Sequence, residues 1–240
     1  MIDLNSDVGE AYGSFVGGPD ADLLPLLTSA NVACGGHAGD PSTMRRTCRL
    51  AVVHGVAVGA QVSYPDLVGF GRRFIDMSPA ELTDTVLAQI GALAALAAAC
   101  GTSVSYLKPH GALYNAIVHH EAQAAAVVQA VLEHGGSLPV LGLPGSAVER
   151  ECRRLDHPFV TEGFADRAYT AEGTLVPRTS SGALIVDPVA ASAQALRLAE
   201  AGVRSVCVHS DTPGAVMIAE AVRNALVGGG YPLGAFAGRQ

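Results

Sequence analysis

The stretch Asn31-Val32-Ala33-Cys34-Gly35-Gly36-His37-Ala38-Gly39-Asp40-Pro41 indicates how this chain folds. Residues 29–33 are a short apolar run that suits a buried strand, and Pro41 is typical of the first turn of a helix. Glycines between them allow a tight loop and a close approach of a ligand to the backbone. The loop also holds His37 and Asp40, two titratable side chains. The stretch therefore predicts a strand, a loop and a helix, with the loop either part of a functional site or a structurally capped turn.

The same arrangement recurs along the 240 residues of the chain. About seven short apolar segments are each followed by a polar loop and, in most cases, a helical pattern; they lie at residues 1–4, 29–33, 56–62, 103–107, 139–143, 159–162 and 205–208. Repeated units of this kind form a parallel sheet with right-handed crossovers. Seven or eight of them close most economically into a (β/α) barrel, and an open doubly wound sheet is the alternative. We expect one βα-barrel domain over residues 1–240, with 228–240 as an irregular tail.

Helices are predicted between these strands at residues 21–28, 41–54, 78–100, 121–134, 188–201 and 214–227. Ser78 and Glu81 form a capping-box pattern at the start of the longest helix. The segment Ser63–Arg73 is a long loop, which is typical of functional or mobile segments. At residues 142–146 a glycine-containing turn precedes a helix start, where backbone N–H groups are able to hold an anion.

Composition narrows the possible functions. A net charge of −7 and the lack of a basic run argue against a nucleic-acid surface. The longest uncharged apolar run, residues 86–100, is too short to span a bilayer, so we expect a core helix there and no membrane partner. Five widely spaced cysteines without a C-x-x-C pair or a secretion signal predict reduced thiols in the cytoplasm. Cys34 is a candidate nucleophile, but packing of a small buried thiol is the favoured explanation.

Titratable and polar residues collect directly after the predicted strands. In a βα barrel these strand ends share one face, which is where such barrels place their active sites. The residues expected around this face are Asp7, Glu10, His37, Asp40, Gln61, Lys108, His110, Asp166, Arg167, His209 and Asp211. The sequence therefore predicts an enzyme with its site at the carboxyl ends of the strands.

Two chemistries are open for this site. In the first, Asp7 and His37, joined by His110 or His209, bind a divalent metal ion. In the second, Asp7 or His37 activates water, and Lys108, Arg167 or backbone N–H groups stabilise the developing oxyanion without an obligatory metal. No G-x-S-x-G elbow, Walker loop or G-x-G-x-x-G loop is present, so a serine triad and a nucleotide site of these types are not indicated. Residue pattern alone thus indicates a hydrolase of small polar substrates.

Four motifs together resemble the LamB/YcsF family. They are Asn5-Ser6-Asp7-Val8-Gly9-Glu10, Ala33-Cys34-Gly35-Gly36-His37-Ala38-Gly39-Asp40-Pro41, Lys108-Pro109-His110-Gly111-Ala112-Leu113-Tyr114-Asn115 and His209-Ser210-Asp211-Thr212-Pro213-Gly214-Ala215. Tyr64-Pro65-Asp66, Gly69-Phe70-Gly71-Arg72-Arg73 and Phe164-Ala165-Asp166-Arg167-Ala168-Tyr169 follow in the order expected for the family. The resemblance therefore covers nearly the whole chain.

The resemblance implies a βα barrel similar to polysaccharide deacetylases, serving as one of three components of a bacterial 5-oxoprolinase. Together with the B and C components, such a chain converts 5-oxo-L-proline into L-glutamate, with ATP as co-substrate. Because a five-membered lactam is a stable amide, phosphorylation of its carbonyl oxygen makes ring opening easier. We expect the partner subunits to activate the lactam and this chain to bind the activated form and direct water. A metal-dependent deacetylase or amidase acting alone, and an inactive binding subunit, are the alternatives.

The residues expected to be catalytic are Asp7, His37, Lys108 and His110. Those expected to bind substrate are Asn5, Glu10, Asn31, Gln61, Asp166, Arg167, His209 and Asp211. Asp7 and His37 are the expected ligands if a divalent metal is present. The family pattern Gly-Ala-His-Pro reads Gly59-Ala60-Gln61-Val62 here, and because glutamine is a poorer ligand than histidine, weaker metal binding is expected. Ser6 and Gly36 replace a usual cysteine and a usual aromatic residue, which leaves a divergent substrate open.

Overall fold

The computed structural model describes residues 1–135 and 138–238, which form a closed barrel of seven parallel strands. The strands are β1 (Asp3–Val8), β2 (Ser29–Ala33), β3 (Ala57–Val62), β4 (Val104–Pro109), β5 (Val140–Gly142), β6 (Phe159–Phe164) and β7 (Ser205–Cys207). Each strand pairs with the next one along the chain, and β7 closes the barrel by pairing with β1. The predicted (β/α) barrel is confirmed with seven strands, and the open doubly wound sheet is excluded.

The helices surround the barrel. They are α1 (Asp20–Leu23), α2 (Pro41–His54), α3 (Pro79–Ala98), α4 (Gly111–His119), α5 (Glu121–His134), α6 (Ala147–Arg154), α7 (Pro188–Glu200) and α8 (Ala215–Gly228). Ser78 and Glu81 form the predicted capping box of α3. Asp40 accepts hydrogen bonds from the backbone N–H groups of Ser42 and Thr43 and so caps α2. Asp40 therefore belongs to the helix start rather than to the cavity described below.

Three local predictions differ from the structure. The predicted helix 21–28 is a short α1 followed by a 3₁₀ turn, Leu24–Leu26, because Pro25 lacks the N–H that a continuing helix needs. Helix α4 is absent from the sequence prediction, since Pro109 and Gly111 are typical of a loop. The turn at 142–146 does not offer an anion site, because Glu149 accepts from the backbone N–H of Gly145 at 2.6 Å. The helix's own carboxylate thus occupies the place of an external anion.

Helix α3 is long and apolar enough, by composition, to cross a membrane, and it is the one such helix in the described ranges. Its residues Leu82, Val86, Ile90 and Leu93 are buried in the main hydrophobic core. Burial of this kind is typical of a helix that packs against the core of a barrel.

The loop between β2 and α2 needs glycine at one position in particular. Gly39 has a positive φ of +80°, and a Cβ there would clash with the carbonyl group of Ala33. Because L side chains rarely adopt this conformation, glycine permits the turn that brings the loop back to the strand end. The turn directs His37 inward, where it is buried.

The amino-terminal end of the barrel is closed by the segment after α8. Leu233 forms an isolated bridge with Ile2, and the Phe236 ring lies 4.8 Å from the Tyr106 ring inside the barrel. The predicted irregular tail 228–240 thus contacts the barrel over its described part, and its residues 239–240 lie outside the described residues.

A buried carboxylate lies near this closed end. The Asp3 side chain accepts hydrogen bonds from the hydroxyl groups of Thr28 and Ser29 at 2.5 Å and 2.6 Å, and from Ser205. Burial raises the pKa of Asp3 from 3.8 to about 6, and the hydroxyl donors offset only part of this effect. Asp3 therefore binds its proton more tightly in the folded chain than in the unfolded chain.

This difference predicts a pH-dependent stability. Protonated Asp3 stabilises the fold fully below pH 3.8, and the contribution is lost as the pH rises through about 6. Relative to Asp3→Asn, the wild-type free energy of unfolding should fall by on the order of 2–3 kcal/mol between pH 4 and pH 7. Urea unfolding of both proteins at each pH measures this difference, and groups that titrate equally in both proteins cancel. A difference that stays constant over this range would contradict the prediction.

Candidate active site

A cavity of about 630 Å³ opens at the carboxyl ends of the strands. Its lining includes three buried polar residues, which we call the floor: Asp7 on β1, Lys108 on β4 and His110 immediately after β4. Apolar and aromatic residues form one wall, with Tyr114, Leu143 and Phe164 among them. Three arginines, which we call the arginine cluster, also line it: Arg72, Arg167 and Arg178. The predicted location at the strand ends matches this cavity.

Lys108 is a buried cation between two carboxylates. Its Nζ lies 2.9 Å from Glu162 Oε1 and 3.5 Å from Asp7 Oδ1. Burial alone would lower the pKa of Lys108, but the negative charges around it, that of Asp7 foremost, raise the pKa above its ordinary value. Lys108 therefore stays protonated at neutral pH, which rules it out as a base and makes it a fixed positive charge.

The two carboxylates respond differently to Lys108. Burial opposes the ionisation of Asp7, yet Lys108 and His110 outweigh it and hold the pKa of Asp7 well below its usual range. Burial raises the pKa of Glu162, and Lys108 offsets this only in part. Asp7 is thus the ionised carboxylate of the floor.

His110 has a tautomer that its partners define. Its Nε2 lies 3.1 Å from the carbonyl oxygen of Phe70, which accepts hydrogen bonds only, so Nε2 carries the proton. Its Nδ1 accepts from Gln61 Nε2 at 2.9 Å and lies 3.5 Å from Asp7 Oδ2. His110 Nδ1 therefore lies between Gln61 and the carboxylates of Asp7 and Glu10, the latter at 3.3 Å.

His37 lies behind His110 and outside the cavity lining. The two imidazole rings stack with centroids 3.8 Å apart, and His37 Nε2 donates to Glu10 Oε1 at 3.0 Å. Ser63 Oγ lies 3.0 Å from the other ring nitrogen of His37. Burial, and then the adjacent His110, lower the pKa of His37 to about 4. His37 is therefore neutral at neutral pH, and its contacts suit a residue that positions His110.

A group able to hold a metal ion is present, and its carboxylate is Glu10 rather than the expected Asp7. Ligand atoms of Glu10, His37 and His110 lie within 4.8 Å of one another. Two imidazoles and one carboxylate form a donor set that zinc commonly uses. Gln61 Nε2 donates to Glu10 Oε1 at 2.8 Å, so an N–H group now points into this cluster.

The donor set fits a cation once the amide of Gln61 rotates. Gln61 Oε1 is buried and accepts no hydrogen bond from the described part of the chain, so rotation would direct this oxygen toward the cluster and exchange the hydrogen bonds to Glu10 and His110 for contacts with the cation. The predicted effect of glutamine at this position, weaker metal binding, remains a prediction.

Asn5 and Asn31 lie inside the barrel, below the floor. Asn31 Nδ2 donates to Asp7 Oδ1 and to Asn5 Oδ1, both at 2.8 Å. Asn5 Nδ2 donates to Glu162 Oε1 at 3.1 Å. These two residues were predicted to bind substrate, but both are fully buried and neither lines the cavity. They connect the two carboxylates that flank Lys108.

Asp166 and His209 form a second buried pair at the cavity edge. Asp166 accepts from His209 Nδ1 at 2.9 Å and from Thr212 Oγ1 at 2.5 Å. Burial opposes ionisation of Asp166, but His209 and the hydrogen bonds lower its pKa overall. His209 also stacks on the Phe164 ring, with centroids 5.1 Å apart. Asp166 therefore orients His209, which lines the cavity.

Asp211 lies among the arginine cluster. Its carboxylate accepts from Arg72 at 2.5 Å and from both terminal nitrogens of Arg178 at 2.6 Å and 2.8 Å. Arg167 instead donates to the carbonyl oxygens of Ala183 and Val176. The predicted substrate-binding residue Asp211 thus contacts two cations, outside the cavity lining itself.

The sequence analysis named Lys108, His110 and their neighbours Asp7, Glu10 and Gln61, but it did not identify Glu162 or Arg178. Glu162 was assigned to a strand, and an acidic residue at the end of an apolar run is the signal that would have identified it. Arg178 lies in an irregular segment after β6, where no sequence spacing indicates that it meets Arg72. Cys34 is buried, and burial raises the pKa of its thiol, which favours packing over a nucleophilic role.

Sequence comparisons identify close relatives. The family model described as LamB/YcsF family matches residues 2–239. A Streptomyces avermitilis protein, named as the A subunit of 5-oxoprolinase, is 54% identical over 250 residues, which cover 99% of this chain and 100% of the relative. A protein of Mycobacterium avium with the same name is 52% identical, over 98% of both chains.

Structural comparisons agree. The crystal structure of a lactam utilization protein from Thermus thermophilus has a TM-score of 0.91 at 41% identity, covering 99% of this chain and 100% of that chain. A family 4 carbohydrate esterase from Streptomyces lividans has a TM-score of 0.53 at 13% identity, over 98% of this chain and 91% of the esterase. The second likeness shows the barrel fold alone, which is the fold shared with deacetylases.

Proposed function

Since the chain belongs to the LamB/YcsF family, we propose that it is the A subunit of an ATP-dependent 5-oxoprolinase. The reaction is hydrolysis of the cyclic amide 5-oxo-L-proline to L-glutamate. Relatives of nearly equal length carry the name of this subunit, while the structural neighbour from Thermus thermophilus is called a lactam utilization protein. The observation in this chain that carries the proposal is the arrangement of Lys108, Asp7 and His110 along one cavity floor, with Asp7 lying 3.5 Å from each of the other two.

ATP has a chemical reason to be a co-substrate here. Phosphorylation of the lactam oxygen converts the ring carbon from an amide carbon into one that water attacks more readily. Addition of water and cleavage of the ring C–N bond, with a proton passed to nitrogen, leave an acyl phosphate. A second water then releases phosphate and completes the glutamate side chain. ATP is thus consumed once for each ring opened, and water supplies the new oxygen.

Asp7 and His110 are suited to the proton transfers in ring opening. Asp7 Oδ1 is engaged by Asn31, while Oδ2 faces His110 and is available to orient the attacking water. His110 Nδ1, which accepts from Gln61 in this structure, receives the proton of that water through the Asp7 oxygen once the Gln61 amide rotates away. Protonated His110 then returns a proton to the departing ring nitrogen, as expected of a histidine that serves as general acid and base.

Lys108 stabilises the negative charge that develops on the water-derived oxygen as that water loses its proton and adds to the ring carbon. A fixed cation in a water-poor site acts strongly because the local dielectric constant is low. The aromatic rings of Tyr114 and Phe164 lie 5.4 Å and 5.3 Å from Lys108 Nζ and form part of the apolar wall. We infer that the lactam ring lies against this wall.

Glu10, His37 and Gln61 hold His110 in place. Gln61 donates to both Glu10 and His110, and His37 stacks on the His110 ring. If a divalent ion is bound by Glu10, His37 and His110, it would supply Lewis acidity and a more acidic bound water. The roles of Asp7 and Lys108 do not depend on it.

Partners and location follow from the same proposal. The chain acts with the B and C subunits of the enzyme, which we infer bind ATP and activate the lactam, and it functions as a single domain over residues 1–240. All five cysteines are free thiols, which supports a cytoplasmic location because reducing compartments keep thiols unpaired.

The test is glutamate release from 5-oxoproline and ATP, measured with this chain alone, with the B and C subunits alone, and with the mixture. We expect release only in the mixture, since this chain lacks an identified nucleotide loop and the proposed site of ring opening lies on this chain. Glutamate formed by the partners alone at the rate of the mixture would contradict the proposal. An inert mixture that is shown to be assembled would contradict it equally.

A metal-dependent deacetylase acting alone is a second candidate, favoured by the cluster of Glu10, His37 and His110. Metal analysis of the purified chain, followed by deacetylation of an N-acetylated sugar with and without a chelator, tests it. Activity that the chelator removes, in the absence of ATP and partners, would favour this second function. An inactive binding role would be indicated if the mixture keeps full activity when Asp7 is replaced.

A further inference from the structure

The arginine cluster has an excess of positive charge. Arg72 and Arg178 share the single carboxylate of Asp211. The next carboxylate toward Arg167 is that of Asp166, whose oxygens already accept hydrogen bonds from His209 and Thr212. Three guanidinium groups therefore line one cavity, and the carboxylate of Asp211 is engaged by two of them.

Arg167 is the member that most needs an anion. It is 6% exposed, and its hydrogen-bond acceptors are the backbone carbonyl groups of Val176 and Ala183. Within the ranges 1–135 and 138–238, no carboxylate oxygen lies within 4.0 Å of its guanidinium nitrogens. Because a buried charge without a counterion is costly, this arrangement favours an anionic ligand beside Arg167.

The cluster and the floor line the same cavity but differ in charge. The floor holds one cation, Lys108, against Asp7 and Glu162, so it does not favour a further anion. At about 630 Å³ the cavity is in the range that takes drug-sized ligands, which are larger than a five-membered lactam. A ligand with a neutral ring at the floor and an anionic group at the arginine cluster matches both ends of the cavity.

The number and geometry of the donors indicate which anion. Arg178 donates hydrogen bonds to the Asp211 carboxylate from two nitrogens. Guanidinium groups use this bidentate geometry for both carboxylate and phosphate oxygens. Three guanidinium groups match the three terminal oxygens of a phosphoryl group better than the two oxygens of a carboxylate. A dianionic phosphoryl group also balances more of the excess charge.

We propose that Arg72, Arg167 and Arg178 bind a phosphoryl group, and that Asp211 occupies part of this anion site when no phosphoryl group is bound. The proposal rests on the proposed function, and it specifies that the substrate reaches this barrel as a phosphorylated lactam. The cluster would hold the phosphoryl group while Asp7, Lys108 and His110 act at the ring carbon.

Titration of the purified chain with inorganic phosphate, followed by calorimetry, tests the site. Arg178→Gln should weaken phosphate binding by about tenfold to 100-fold, because a hydrogen-bonded charge pair is lost. Arg153→Gln is the matched control: it removes the same charge from an exposed arginine on α6 and should leave the affinity unchanged. Loss of phosphate affinity in both variants would overturn the proposal, as would wild-type protein that does not bind phosphate.

Asp211→Asn is expected to strengthen phosphate binding, which misfolding would not do. Removing the carboxylate frees Arg72 and Arg178, so phosphate should bind several-fold more tightly. Weaker binding in this variant would overturn the role of Asp211 as an internal occupant. Arg167→Gln should also weaken binding, and because Arg167 supports the segment around Val176, its thermal unfolding is measured alongside.

Competition identifies the source of the anion. We expect 5-oxoproline to leave phosphate bound; displacement would show that the cluster binds the substrate carboxylate and would overturn the phosphoryl assignment. Displacement by ADP at far lower concentration than phosphate would assign the cluster to a nucleotide and overturn the proposal of a phosphorylated lactam. These titrations use the chain alone, whereas the proposed function is tested by glutamate release in the mixture, so either one fails independently of the other.

Discussion

Replacing Lys108 with methionine is expected to lower glutamate formation in the assembled mixture by about 100- to 1000-fold. Lys108 is the one cation of the floor, 3.5 Å from Asp7, and methionine keeps much of the side-chain volume while removing the charge. Negative charge that develops on the water-derived oxygen would then have no cation beside it. Steady-state glutamate release at saturating 5-oxoproline and ATP measures the loss, which we expect in kcat rather than in KM.

The same substitution also affects stability, and a second variant separates the two effects. Without Lys108, Asp7 and Glu162 are buried carboxylates with no cation between them, which costs about 3–5 kcal/mol for a broken buried pair. The double variant Lys108→Met/Glu162→Gln removes one of those two carboxylates, so it should recover part of the stability. It should not recover activity. Recovery of both would mean that Lys108 serves only the fold and has no catalytic role.

Asp7→Asn is expected to reduce kcat by about 100-fold or more, because the relay between water and His110 loses its charged oxygen. Asparagine preserves the size of the side chain and its contact with Asn31, and Lys108 keeps its ion pair with Glu162, so the barrel should still fold. The matched control is Asp84→Asn, which makes the same change at an exposed position on α3. Glutamate release by the two mixtures, each with the chain shown to be folded by thermal unfolding, gives the comparison. Equal activity in the two mixtures would remove Asp7 from the mechanism.

The barrel was predictable because its signals are local. Each strand is an apolar run of a few residues, and the helix starts carry capping residues such as Asp40, Ser78 and the prolines that follow them. The grouping of polar residues after the strands was also predictable, since parallel strands in a barrel end on one face. Lys108 and His110 are identifiable in this way.

The interior of the barrel was not predictable to the same degree. The strand β1 was expected to end at Leu4, before its polar residues, but it continues through Asn5 and Asp7 to Val8. Those side chains are accommodated because Asn31 and Glu162, which are distant in sequence, supply hydrogen-bond partners inside the barrel. Which polar residues meet across a barrel depends on strand register, and single-sequence patterns do not carry that information.

The structure gives a physical reason for two departures from the family pattern. Gln61 donates hydrogen bonds to both Glu10 and His110, so it replaces a ring nitrogen with an amide that holds the same neighbours. A Cβ at Gly36 would lie 2.5 Å from Gln89 Oε1 and from Ser63 Oγ. An aromatic residue at that position would therefore require the surrounding side chains to move.

The measurement that tests the mechanism most directly follows glutamate and ADP in the same reaction, using the assembled mixture with either wild-type chain or Asp7→Asn. If the lactam is activated by the partner subunits and opened on this floor, the variant should stop glutamate formation while 5-oxoproline-dependent ADP formation continues. Glutamate formed by the variant at the wild-type rate would place ring opening outside this barrel and contradict the mechanism.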